Sequence, residues 1–198
     1  MSAPALVFLG RADAFEPRRT WSLGERELCI EFEDGRVDTL FEHGEIAELR
    51  LRHAGTRLQP NRWACRVRAR DGREREFVSQ AWLGPGRFED RAESYASFVR
   101  ELCLRVEASG GGARFVAGLP RTLLGIELGA FAVGTLAALL SPGLLGLDFR
   151  ADPWLWFAWP LVCFALAVWH VRRRRARPID PGRIPPGLLP PTQARPQP

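Results

Sequence analysis

Two long apolar segments in the C-terminal half constrain this chain most. The first runs from Thr122 to Leu147 and is interrupted only by Glu127 and Pro142. The second runs from Trp154 to Val171, 18 residues without a charge. At 1.5 Å rise per residue that is about 27 Å of helix, close to the roughly 30 Å hydrocarbon core of a bilayer. Trp154, Trp156 and Trp159 cluster at one end and Trp169 marks the other, the arrangement of an aromatic belt. The pattern predicts a two-helix transmembrane hairpin over 122–171, with spans of about 122–147 and 154–171. The alternative is a buried helical hairpin in a water-soluble core, but few such helices are apolar on every face over this length.

Arginines set the expected orientation. Arg172, Arg173, Arg174, Arg175 and Arg177 follow the second segment, and Arg114 and Arg121 precede the first. The loop between them holds Asp148, Arg150 and Asp152, a net of −1. The positive-inside rule then puts both termini in the cytoplasm of a bacterial inner membrane. The same arginine run would attract anionic lipid headgroups. The N-terminus does not resemble a secretory signal, because it lacks an early positive charge and its apolar run, Ala5 to Leu9, is short.

Charge is unevenly placed. Residues 1–113 hold 18 Arg against 19 Asp and Glu, a net of −1, whereas residues 114–198 hold 10 Arg against 4 acids, a net of +6. A nucleic-acid binder carries its positive charge on the folded domain, so the near-neutral N-terminal part argues against nucleic acid as a partner. A hydrophobic content of 46% excludes a disordered chain, and 26% charged residues exclude a simple polytopic transporter. Cys29, Cys65 and Cys103 face a reducing compartment in this reading and need not pair.

Short strands with turn signals fill Trp21 to Ser79. Glu27 to Phe32 alternates through Leu28, Ile30 and Phe32, and Glu33-Asp34-Gly35 supplies a tight turn. Val37 to Phe41 and Ile46 to Leu51 follow. Trp63 to Arg70 sets Trp63, Cys65, Val67 and Ala69 against Arg62, Arg66, Arg68 and Arg70, and Asp71-Gly72 turns the chain into Glu76 to Ser79. Such alternation belongs to an antiparallel sheet with one buried face. After Phe88 the period changes. Tyr95, Phe98, Val99, Leu102 and Val106 fall on one helical face, and Ser109-Gly110-Gly111-Gly112 ends the helix.

Four stretches, Trp21-Ser22-Leu23, Gly44 to Leu51, Phe88-Glu89-Asp90-Arg91 and Tyr95 to Leu102, carry a further likeness. With the two apolar segments behind them, they resemble small bacterial membrane proteins with a pleckstrin-homology-like (PH-like) domain and two transmembrane helices. The resemblance covers about residues 20–175. It implies an α+β fold plus membrane: a PH-like antiparallel β-barrel or sandwich with a C-terminal capping helix, followed by the transmembrane hairpin. The expected organisation is an N-terminal extension (1–19), a cytoplasmic PH-like domain (20–108), a glycine-containing linker (109–121), the hairpin (122–171) and an Arg-rich then Pro-rich tail (172–198). The resemblance brings no catalytic residues. The first hairpin turn, Glu33-Asp34-Gly35-Arg36, is mostly acidic, so phosphoinositide binding is not expected there.

Three groups of residues are site candidates. Arg66, Arg68 and Arg70 share a strand face, either a lipid- or partner-binding surface or a solvated face paired to Glu48, Glu74 or Glu76. Glu127 shares a helix face with the small residues Ala130, Gly134 and Ala138, while Gly125 and Gly129 form a GxxxG on the opposite face. Small residues permit close helix approach, so these faces are candidates for helix packing and for a homo-oligomer. Glu127 is expected to pair with His170 or Arg172. The tail, Pro178 to Pro198, has 8 prolines in 21 residues and favours extended polyproline structure. It is either a disordered tail or a docking peptide, because Ile184, Leu188 and Leu189 are odd residues to leave in solvent.

No catalytic, cofactor or metal motif is present. His43, His53 and His170 share no ligand spacing with each other or with the cysteines, and no nucleotide or hydrolase signature occurs. The expected function is a membrane-anchored, non-enzymatic adaptor that presents the domain and tail. Candidate partners are membrane lipids, a protein bound through domain or tail, and a second copy. Two alternatives are an oligomeric transport component using the Glu127 face and a membrane enzyme with an unrecognised site.

Overall fold

The computed structural model describes residues 6–11, 17–140 and 155–191. The chain divides into two units, Met1–Ala117 with Arg177–Pro198, and Gly118–Ala176.

In the first unit, strands β1 (Leu6–Gly10), β2 (Arg19–Leu23), β3 (Glu27–Phe32) and β4 (Val37–Glu42) form an antiparallel meander. A 3-10 turn, His43–Glu45, leads into β5 (Ile46–His53), β6 (Trp63–Ala69) and β7 (Glu74–Val78). A hairpin of β8 (Gln80–Gly84) and β9 (Arg87–Asp90) stands apart. Helix α1 (Ala92–Ala108) follows, then β10 (Arg114–Ala117), and β11 (Arg177–Pro178) closes the unit. The second sheet has the order β11-β10-β5-β6-β7, with β10 parallel to β5 and the other pairs antiparallel.

Alternation puts one side of each strand into a shared core. Trp21, Leu23, Leu28, Ile30 and Phe41 from the first sheet meet Leu49, Leu51, Cys65, Val67 and Phe77 from the second. Tyr95, Phe98, Val99, Leu102 and Val106 of α1 lie in the same cluster, on the face that their spacing predicts. Burying each such Leu or Phe contributes roughly 1.5–3 kcal/mol. Asp90, the residue before the N-cap Arg91, accepts the Ala92 N–H at 2.9 Å in an Asx-type turn that leads into the helix. Arg105 ties its last turn to the carbonyls of Leu23 and Gly24 at 3.1 and 2.7 Å.

The closed barrel implied by the PH-like resemblance is not formed. Among the described residues β4 and β7 are edge strands of their sheets, and side chains rather than a backbone ladder bridge them. Arg75 of β7 donates to both oxygens of Asp38 on β4, at 2.9 and 3.1 Å. Arg73 reaches the Leu40 carbonyl at 2.8 Å. Charged side chains on open edges are a common way to block further strand addition.

The glycine segment of the expected linker is pinned against the turn at Gly44. The space above Gly111 is filled by the backbone of Gly44, so a Cβ there would sit 2.7 Å from the Gly44 carbonyl oxygen. Arg70 also donates to the Gly111 carbonyl. The pinned segment delivers the chain to β10.

The second unit is a helical hairpin of α2 (Arg121–Leu140) and α3 (Leu155–Arg174). Among the described residues, no helix is long and apolar enough to cross a membrane. This overturns the two expected spans, and with them the inner-membrane placement. A crossing takes roughly 20 consecutive apolar residues. Helix α2 begins at Arg121 and carries Glu127, and the uncharged part of α3 ends at Val171, before three arginines. Residues 141–154, which hold the end of the first expected span, the loop and Trp154, lie outside the described residues.

One polar core residue makes stability pH-dependent. His43 is buried in the 3-10 turn. Burial, and secondly the Arg105 charge, push its pKa below the ordinary value, against hydrogen bonding to the backbone of Glu25 and Glu27. The unfolded chain then binds a proton more readily than the folded one, so stability is lost as pH falls below about 6.5. The urea midpoint is expected to drop between pH 7 and pH 5.5, and His43→Phe to flatten that slope. An unchanged slope in His43→Phe would contradict this.

Candidate functional site

The most developed site in the first unit lies around Trp63, at the start of β6. Its backbone is clamped to Ser79, donating to Ser79 Oγ at 3.0 Å and accepting the Ser79 N–H at 2.9 Å. The ring meets His53 edge-on at 5.4 Å between centroids. The side chain is held to 7 % exposure. It donates to the carbonyl of Gly187, far along the chain, at 3.1 Å.

Gly187 belongs to a strap built from the proline-rich tail. The strap leaves β11 with Ile179, whose N–H bonds the Phe115 carbonyl at 3.0 Å. Asp180-Pro181-Gly182-Arg183 forms a first turn, with the Arg183 N–H on the Asp180 carbonyl at 3.1 Å and the Gly182 N–H on Asp180 Oδ1 at 2.9 Å. Pro185-Pro186-Gly187-Leu188 forms a second, closed from the Leu188 N–H to the Pro185 carbonyl at 3.3 Å. Gly187 has φ +90°, which with Pro186 before it makes a type II turn. That turn aims the Gly187 carbonyl at Trp63 and sends Leu188 and Leu189 toward the core. Leu189 is 7 % exposed, and Ile179, Ile184 and Leu188 pack on the core at its margin. The tail over 177–191 is therefore ordered on the domain and turned, not an extended polyproline stretch; residues 192–198 lie outside the described residues.

The strap leaves space beside it. A cavity of about 630 Å³ lies among the strap, Trp63, Arg100 and Leu104, and Leu104 is 47 % exposed. A second, of about 280 Å³, lies on the other side of Trp63 between Pro190, Pro191, Asn61, Asp90 and Glu93. Arg100 thus lines the first cavity, and Asp90 and Glu93 line the second.

The arginine face is compensated by neighbouring acids. Arg66 pairs with Glu76 at 3.2 Å and Glu74 at 3.5 Å, and Arg52 with Glu76 at 2.7 Å. Glu48 takes Arg50 at 2.8 Å and Arg114 at 3.4 Å. Arg70 is committed to the Gly111 carbonyl, and Arg68 is exposed. Partly exposed pairs of this kind contribute about 0–1 kcal/mol each.

In the second unit, Glu127 meets Arg174 at 2.8 Å, a cation further along the helix than the expected His170 or Arg172. The pair sits in a cleft of about 530 Å³ with Ala130, Phe131, Leu166 and Trp169. Trp156, Trp159 and Arg173 fall on α3, Arg172 and Arg175 are exposed at its end, and Arg177 lies in β11. Gly134 and Ala138 fall on α2. A Cβ added at Gly125, Gly129 or Gly134 would meet nothing within 4 Å, so these glycines do not serve contact with α3.

Among the described residues no cluster of His, Cys, Asp and Glu could hold a metal ion. Burial raises the Cys65 thiol well above its usual range and the Cys103 thiol to about 12, which leaves both unreactive. Compared with known proteins, the chain matches no family model and no curated protein.

The Trp63 site was not singled out from the sequence, although its signal is present there. Pro186-Gly187 is the residue pair that a type II turn requires, and Ile184, Leu188 and Leu189 flank it. Trp63→Phe keeps a ring in place but leaves the Gly187 carbonyl without its donor, at a cost of about 1 kcal/mol. Urea unfolding is expected to show that loss, together with increased proteolysis of the strap. A variant as stable and as resistant as the parent would refute the role given to the indole.

Proposed function

We propose that this chain is a non-enzymatic adaptor whose first unit binds a proline-bracketed turn segment in the groove centred on Trp63. The observation that carries this reading is the strap itself. An indole donor on a backbone carbonyl, with a leucine buried beside it and prolines on either side, is the chemistry of peptide recognition by aromatic-lined grooves. The prolines lower the entropy lost on seating such a segment. The occupant is the chain's own Ile184–Pro191, so the groove is held in cis and a partner of similar sequence must displace it.

The tether sets the strength of that competition. A short linker gives an effective concentration in the millimolar range, so a free peptide binds the intact chain far more weakly than a strapless one. The test uses a fluorescent peptide of residues 181–191 and a chain ending at Asp180, which keeps β11 and Ile179. The shortened chain, once circular dichroism shows it folded, is expected to bind the peptide, and the full chain to bind at least about tenfold more weakly. Trp63→Phe in the shortened chain is expected to weaken binding. A folded shortened chain that ignores the peptide would sink the proposal.

A further inference from the structure

The seated strap meets the domain in two different ways. Pro185, Pro186 and Gly187 are exposed, whereas Leu188 is half-buried and Leu189 is 7 % exposed. The corner is therefore held by its backbone and the residues after it by their side chains. The backbone contact is the Gly187 carbonyl, which accepts the Trp63 indole N–H at 3.1 Å. The hand of the corner is fixed as well. The proline ring holds φ of Pro186 at about −65°, and Gly187 has φ +90°. A negative φ followed by a positive one defines the type II turn, and the primed turns need a positive φ that proline cannot supply. An L residue in place of Gly187 must either bear the strain of positive φ or flip the peptide unit before it toward a type I turn. Space is not the obstacle, because a Cβ added at Gly187 meets nothing within 4 Å. The demand for glycine comes from the backbone.

We infer, on the adaptor reading above, that the groove selects its partner by the conformation of one residue. The partner is a polypeptide segment of the form Pro-Gly-x-Leu, with glycine at the corner and the leucine two positions later buried beside Trp63. The groove disfavours an L side chain at the glycine position, in the order of that side chain's tolerance of positive φ. Asparagine adopts the left-handed region most readily among non-glycine residues and is accepted best. Alanine follows, and β-branched valine is accepted least. Selection by size would place alanine ahead of the larger asparagine, so backbone selection and steric selection give different orders.

The full chain carries the test, because its own strap reports the same preference. Gly187→Asn, Gly187→Ala and Gly187→Val are expected to speed exchange of the Leu188 amide in that order, alanine by about fivefold. The amides of β5 and β6 are expected to stay protected. A free peptide must displace the strap, so a fluorescent peptide of residues 181–191 is expected to bind these chains more tightly in the same order. The Gly187→Val chain is expected to bind it about tenfold or more tightly than the parent. Unlabelled peptides competing on the Gly187→Val chain are expected to rank glycine, asparagine, alanine, valine from strongest to weakest. The peptide with Leu189→Ala is expected to lose about tenfold or more. Unchanged Leu188 exchange in all three chains would overturn the inference. Peptides that compete equally, or in order of size, would overturn it too and leave the adaptor in place. A labelled peptide that ignores every chain, including one whose strap exchanges freely, would refute the adaptor and this inference together.

Discussion

Closure of the first unit's core rests on one long-range contact, the seating of residues 179–189 beside helix α1. Two sheets and one helix surround most of the core, but Trp63 stands at its margin with a polar N–H that must be satisfied when the ring is buried. The strap supplies the acceptor from Gly187 and the apolar cover from Leu189 and its neighbours. The connection across the second unit makes this possible. Leu119 bonds the Arg174 carbonyl at 3.2 Å, so the hairpin returns the chain to where it left, and β11 can pair with β10.

Electrostatics plays a local part in this arrangement. The arginine row on the second sheet belongs to a cross-strand lattice with Glu48, Glu74 and Glu76, and Arg75 with Asp38 spans the open edges. Hydrogen bonding from Arg75 holds the Asp38 carboxyl below its usual range against the opposing effect of burial. These pairs fix register and guard edges. The proposed recognition falls to an aromatic ring, a turn carbonyl and leucines, which carry no charge for salt to screen.

Much of the first unit was legible in the sequence because its strands are half-buried and alternate. The period-two pattern located β3, β5 and β6 closely, and the Asp34-Gly35 and Asp71-Gly72 turns marked the hairpins. The amphipathic period of α1 did the same for its buried face. What was missed lacks such a signal. Strand β10 is four residues in a segment dominated by glycines, and β11 is two residues ending in proline. Both exist because a neighbouring strand pairs with them, a tertiary cause that local pattern does not carry. The hairpin of β8 and β9 was absorbed into the approach to α1. Composition also misled twice. Apolar content over 122–171 suggested two membrane spans, whereas the described helices are interrupted or bounded by Glu127 and arginines. Proline content suggested an extended tail, whereas the order Pro-Pro-Gly-Leu encodes a turn.

Amide hydrogen exchange on the intact chain tests the central claim, that the strap is a seated part of the first unit. The amides of Ile179, Arg183 and Leu188 are bonded to carbonyls at 3.0, 3.1 and 3.3 Å. They are expected to exchange orders of magnitude more slowly than an unstructured peptide, and Trp63→Phe to release Leu188 first. Exchange of all three at the rate of a free peptide, in a chain whose β5 and β6 remain protected, would contradict the account.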